Sequence, residues 1–187
     1  MKKTELVVLL DCSLSMESRW AQAVDAINKL LADHVGAYVT LISFSGESYV
    51  HFNQTTIQAT ASGGGLRSTG TALLDAVDET ISLVEKRAND GRQMIIVTLT
   101  DGEDNQSVTP LAQLAARIEA KEKAGWHFIY MISCDDGWTR EKGAEMATAL
   151  GYSTLLNTNA AGYGAAVSEI SKNISALPLE MLETELM

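Results

Sequence analysis

The chain reads as a doubly wound, Rossmann-like α/β domain: a mostly parallel six-stranded sheet with one antiparallel edge strand and helices on both faces. Three observations predict it. Short apolar runs alternate with stretches of helical periodicity. Several runs are continuously apolar, as strands covered on both faces are. One pair of runs is separated by a gap too short for a parallel crossover, so that pair must be antiparallel.

The first run, ELVVLLD (5–11), is a buried strand, and the helix after it follows from Trp20, Val24, Ile27 and Leu31 at 4-3-4 spacing. AYVTLISF (37–44) is the second strand, and SYVHF (48–52), reached across Gly46, is the antiparallel third. Residues 53–70, including SGGGLRSTG, are rich in Thr, Ser and Gly and read as loop. A helix restarts near Thr71 with Leu73, Val77, Ile81 and Val84 on one stripe, and QMIIVTLT (93–100) is the fourth strand. Thr109 and Pro110 look like an N-cap and a first helical position, followed by an apolar face of Leu111, Leu114, Ala115 and Ile118. WHFIYMIS (126–133) is the fifth strand, TREKGAEMATALG a helix stopped at Gly151, and YSTLLN (152–157) a short sixth strand. Val167, Ile170, Ile174 and Leu177 mark the last helix, ended by Pro178. The expected organisation is one domain over 1–177 and a short acidic-hydrophobic tail over 178–187, with Leu179, Leu182 and Leu186 at 3-4 spacing.

Composition narrows the function. The net charge is −10 and no run of Lys or Arg appears, which argues against nucleic acid and anionic membranes as partners. The opening MKKTELVVLLDCS imitates a signal peptide, but its apolar stretch between Glu5 and Asp11 is too short for one. No stretch approaches a membrane span, so a cytoplasmic protein is expected. Cys12 and Cys134 follow strands one and five with strand four between them, about 10 Å apart and beyond disulfide reach.

In doubly wound sheets, ligands bind outside the carboxyl ends of the strands, where strand order reverses. Three polar segments gather at that edge: DCSLS (11–15), STGT (68–71) and TDGED (100–104). In an extended turn Asp11, Ser13 and Ser15 converge while Cys12 and Leu14 face the protein. Thr71 adds a hydroxyl from a helix start, and Asp101 a second carboxylate. An all-oxygen set suits Mg²⁺, Mn²⁺ or Ca²⁺ and not zinc. Two carboxylates only balance one divalent ion; if one or both act through bound water, the ion keeps its electrophilicity and an open coordination position would then attract an outside carboxylate. The bland alternative is a polar turn that caps the next helix, with Asp101 a turn residue before Gly102.

Glu103 and Asp104 read as a solvated loop or as the rim of a partner site, and Asn105 as a residue that holds the loop by bonding its backbone. Arg67 and Trp138 are the other candidate rim contacts, and Asp135 and Asp136 a solvated turn. The three histidines, His34, His51 and His127, read as packed or surface residues.

With D-x-S-x-S after the first strand, a Thr opening a helix after a Gly-rich loop, and T-D-G after the fourth strand, the chain resembles a von Willebrand factor A domain from about residue 4 to 176. The family's metal-ion-dependent adhesion site maps onto Asp11, Ser13, Ser15, Thr71 and Asp101, with Thr69 a competitor for Thr71. The resemblance implies Mg²⁺ or a relative, completed by an acidic residue of a partner protein, in an interaction module rather than an enzyme. Two departures stand out. The segment before Thr71 is short and lacks a clear helix. MES follows Ser15 where integrin-type members carry paired aspartates, so no adjacent second metal site is expected.

A rival class is a Mg²⁺-dependent phosphohydrolase with Asp11 as phosphoryl acceptor. It would want an acid where Ser13 stands and a Lys near the three segments. The expected partner is therefore a protein presenting an Asp or Glu within a neutral or basic surface.

Overall fold

The structure is a computed structural model and describes residues 4–34, 37–56, 70–87, 91–134, 137–158 and 162–176. Its strands are β1 (Thr4–Asp11), β2 (Tyr38–Phe44), β3 (Ser48–Thr56), β4 (Gln93–Thr100), β5 (His127–Ser133) and β6 (Thr154–Thr158). Between them run α1 (Trp20–Asp33), α2 (Leu73–Glu85), α3 (Leu111–Lys123), α4 (Gly137–Leu150) and α5 (Tyr163–Ala176). The sheet order is β3-β2-β1-β4-β5-β6, with β3 antiparallel to β2 and every other pair parallel. Chain progression therefore reverses between β1 and β4, and this is the point at which such sheets open a crevice.

Alternation along β1 splits the core in two. Leu6, Val8 and Leu10 pack with Ala23, Ile27, Leu30 and Leu31 of α1 and Val167 and Ile170 of α5. Val7 and Leu9 face the other way, toward Leu73, Val77 and Ile81 of α2, Leu114 and Ile118 of α3 and Leu150 of α4. Burial on both faces is why the strands are continuously apolar.

Several boundaries move. β3 runs to Thr56, beyond the apolar SYVHF, because the ladder with β2 continues through register shifts on either side of Leu41. A polar stretch can pair at a sheet edge without any apolar alternation to announce it. Pro110 is the N-cap of α3 in an extended conformation, one position later than the Thr109 cap expected, so the helix starts at Leu111. α4 begins at Gly137, and β6 begins at Thr154 because Tyr152 turns into the core, its ring edge-on to Phe128 and Tyr130. A 3-10 helix, Leu14–Arg19, precedes α1 and is anchored by buried Met16.

At the amino end of the strands Glu5 is fully buried and doubly paired. Arg87 Nη2 lies 2.8 Å from Oε1, Arg92 Nη1 lies 3.3 Å from Oε2, and the Thr40 hydroxyl donates to Oε1 at 2.8 Å. Both cysteines are buried and not joined by a disulfide, with β4 between their strands, as expected. His51 Nε2 lies 2.6 Å from the Ser43 hydroxyl, and burial pushes His34 and His127 down. Among the described residues no helix is long and apolar enough to cross a membrane. The tail at 178–187 lies outside the described residues.

Candidate functional site

The parallel register of β1 and β4 brings the carboxyl ends of both strands to the switch point, Leu10 opposite Leu99. Thr100 Oγ1 donates to Asp11 Oδ2 at 2.7 Å and accepts from Gly102 N–H at 3.1 Å, so one hydroxyl fastens both segments. Ser13 N–H donates to Asp11 Oδ1 at 2.9 Å, and the Ser13 and Ser15 hydroxyls lie 2.9 Å apart. The convergence expected of Asp11, Ser13 and Ser15 is therefore present. Cys12 turns inward, its thiol donating to Phe44 O at 3.1 Å. Leu14 does not face the protein: it is 45% exposed, because the 3-10 helix starts there and ends the alternation. Neither that helix nor α1 has a side-chain N-cap bond, so the bland capping role for this turn has no hydrogen bond behind it.

Asp101 is buried, and among the described residues its Oδ1 receives a long 3.4 Å bond from Glu103 N–H. The next residue, Gly102, has φ +91°, and a Cβ there would stand 2.6 Å from Gly143 Cα of α4. Only glycine lets the loop pass that close to the helix.

Thr71, also buried, is held from both sides. Its N–H donates to Asn105 Oδ1 at 2.9 Å, while its carbonyl accepts from Asn105 N–H at 2.9 Å and Gln106 N–H at 3.1 Å. Ala72 N–H donates to Ser45 O at 2.6 Å, tying the same segment to the end of β2. Asp104 Oδ1 accepts from Leu73 N–H at 2.9 Å and from the Ser107 hydroxyl at 2.6 Å, which caps the start of α2 from another loop. The Asp75 carboxylate returns the favour by accepting Val108 N–H at 3.0 Å and Thr109 N–H at 2.8 Å.

Sequence reasoning found Asn105 as a loop holder but missed the roles of Thr100, Asp104 and Ser107. Thr100 was findable, since it ends β4 beside Asp11. The cap by Asp104 was not, because its partner is remote in sequence. Glu103 is exposed at the rim. Arg67 and Thr69 lie outside the described residues, as do Asp135 and Asp136; of Trp138 the structure describes only its backbone in the first turn of α4. Lys142 is closer to the site than expected, lining the same cleft as Asp101.

Electrostatically the site is a negative pocket. Burial first, and then the charge of Asp101, push Asp11 up to about 6 against the bonds from Ser13 and Thr100. Burial, then Tyr152 and the carboxylates of Asp11, Asp101 and Asp104, push the Tyr130 phenol up as well. Among the described residues no Lys or Arg pairs with Asp11 or Asp101, and no cluster of three or more His, Cys, Asp or Glu side chains is placed to hold a metal. The donors at hand are two carboxylates and hydroxyls. All are oxygen donors, and the chemistry of this set is the one that suits a hard divalent ion.

The family profile described as von Willebrand factor type A domain matches residues 6–103, just over half of the chain. This chain belongs to that family. No curated protein matches it. Among solved structures it is similar to the conserved hypothetical protein BatB from Bacteroides thetaiotaomicron, at 18% identity and TM-score 0.71, covering 92% of this chain and 97% of that one. The open conformation of the pilus adhesin SpaC from Lactobacillus rhamnosus GG gives 14% identity and TM-score 0.70 over 93% of this chain, which spans 30% of the adhesin. Manganese-loaded TRAP protein from Plasmodium vivax gives 14% and 0.62, covering 90% and 72%. At these identities the likeness is one of fold. Domains of this family are commonly protein-interaction modules.

Proposed function

We propose that this A domain is a metal-dependent protein-interaction module. Asp11, Ser13, Ser15, Thr71 and Asp101 would hold Mg²⁺, or Mn²⁺ or Ca²⁺ in its place, and a partner's Asp or Glu would complete the coordination. The observation that carries this reading is the pair of buried carboxylates, Asp11 and Asp101, set beside adjoining hydroxyls at the switch point with no protein cation paired to them among the described residues. A likeness to a manganese-loaded protein of the same fold supports it.

A bound divalent ion supplies a positive centre with room for one outside oxygen. The chain's own residues do the rest. Thr100 and Ser13 fix the orientation of Asp11, Asn105 fixes Thr71, and Gly102 keeps Asp101 pressed toward α4. With a net charge of −10, the domain repels uniformly acidic surfaces at long range. The partner therefore carries its acid on a neutral or basic surface, and neither nucleic acid nor a membrane is a partner. A reducing, cytoplasmic setting is part of the proposal.

The phosphohydrolase alternative fares worse on geometry. It wants a second acid two residues after Asp11, and there Ser13 stands instead, its hydroxyl 2.9 Å from that of Ser15.

Titration calorimetry with Mg²⁺ and Mn²⁺ tests the site, and affinity capture tests the function. The expected result is one divalent ion per chain, lost in both Asp11→Asn and Asp101→Ala, and protein partners retained with Mg²⁺ but released by EDTA. Undiminished ion binding in both variants, or partners indifferent to EDTA, would refute the reading.

A further inference from the structure

The 101–105 loop, the start of α3 and one side of α4 enclose a cleft of about 570 Å³ whose lining includes Asp101 itself. Leu111, Met146 and Ala149 supply its apolar surface. Its volume lies within the range of ligand-binding clefts, roughly 300–1,000 Å³. The exposed large hydrophobic residues among those described are Leu14, Val50, Val108 and Leu111. Leu14 stands between Ser13 and Ser15, Leu111 opens α3 and lines the cleft, and Val108 lies in the loop between Asp101 and Leu111. Val108 is 88% exposed. The apolar lining of Leu111, Met146 and Ala149 beside Asp101 is the kind of surface that a protein covers.

Charge specifies the occupant further. Asp101, Glu103, Asp104 and Glu145 line the cleft against a single lysine, Lys142, whose ammonium is already 3.9 Å from Glu145. An apolar group entering here is welcomed by the floor, whereas acidic neighbours would be repelled by the rim.

We propose that this cleft receives a large apolar side chain from the same partner segment that offers its carboxylate to the ion. The recognised chemistry is thus an acidic residue beside a Phe-, Leu- or Met-sized one, flanked by basic residues. This rests on the metal-dependent reading above and adds a direction to it: the partner lies across the 101–111 loop toward α4, away from the β3 edge.

The test uses the full chain in saturating Mg²⁺ and three blocked peptides. One is Lys-Gly-Glu-Gly-Lys, and the other two carry Phe in place of the first or second glycine. Backbone amide shifts report both affinity and location. At least one Phe peptide is expected to bind about tenfold more tightly than the parent and to shift Leu111, Met146 and Ala149. Ala149→Trp, an exposed helical position whose new ring fills the cleft, is expected to reduce that peptide to the affinity of the parent. Phe peptides no tighter than the parent, or an advantage that survives Ala149→Trp, would overturn the cleft assignment while leaving the ion site standing. Parent binding that ignores both EDTA and Asp101→Ala would instead overturn the metal-dependent reading.

Discussion

Glu5 and Asp11 stand at opposite ends of β1, each with no exposed surface, yet their surroundings differ in kind. Around Glu5 the fold supplies two guanidiniums and a hydroxyl. Arg92 also stacks on the Tyr38 ring at 4.5 Å, so the cluster ties β1, β2, the end of α2 and the start of β4 together. Around Asp11 the fold supplies a hydroxyl, an amide and a second acid. A buried carboxylate with its charge balanced by the protein serves the fold. One left unbalanced, at the edge where sheets of this kind bind ligands, is where the proposed function places a cation from outside.

That contrast predicts opposite responses to neutralising each acid. Glu5→Ala removes the buried acid that half-buried Arg87 and Arg92 both pair with and should cost about 3 kcal/mol in urea denaturation. Asp11→Asn should leave metal-free protein as stable as before or more so, since it removes a like-charge contact and keeps the acceptor for Ser13. Equal losses at both positions would break the comparison.

Mg²⁺ should act on one end alone. At 100 times its dissociation constant it should add about 2.7 kcal/mol to wild type and to an Arg92→Lys variant, but nothing to Asp11→Asn or Asp101→Ala. Melting temperatures with and without EDTA check this.

A smaller effect is expected from pH. The folded-state value of Asp11 is raised, to about 6 against an ordinary 3.8, so the fold prefers its protonated form. The stability from that preference is complete below the ordinary value and is lost as pH rises through about 6. Metal-free protein should therefore gain on the order of 1 kcal/mol between pH 7 and pH 5. Asp11→Asn should not gain it. With Mg²⁺ present the trend should reverse, because protons compete with the ion for Asp11.

The smallest change concerns support rather than charge. Asp104→Ala removes the acceptor for Leu73 N–H and should cost about 1 kcal/mol, as lost caps do. Asn105→Ala should cost a similar amount and also weaken Mg²⁺ binding several-fold, since Asn105 fixes Thr71. Asn105→Ala with unaltered Mg²⁺ affinity would show that Thr71 is positioned by other contacts.

Most of this fold was legible because burial on both faces of a parallel sheet writes itself as uninterrupted apolar runs. The exceptions are physical. Residues 53–56 pair at an edge, where no apolar code is needed, and the 3-10 helix at Leu14 is too short to show a period. The ligand-bearing segments were legible as D-x-S-x-S and T-D-G because each lies within a few consecutive residues. Their supports were not, since Asp104 meets Leu73 and Asn105 meets Thr71 only after β4 and α2 have been assembled. The acids at the two ends of β1 look alike in sequence; only the placement of Arg87 and Arg92 beside Glu5 tells them apart.

The contact between Gly102 and Gly143 has a consequence for the lineage of this domain. At position 102 the backbone angle and the nearby Gly143 Cα both bar a side chain, whereas at 143 the obstruction is the side chain of Ile132, 2.8 Å from where a Cβ would be. Among close descendants of this sequence, position 102 should stay invariant. Position 143 should drift only in step with 132, alanine appearing there when a residue without γ carbons, such as alanine, has replaced the isoleucine. The trace of this crossing would be a correlated pair of substitutions beside a silent column.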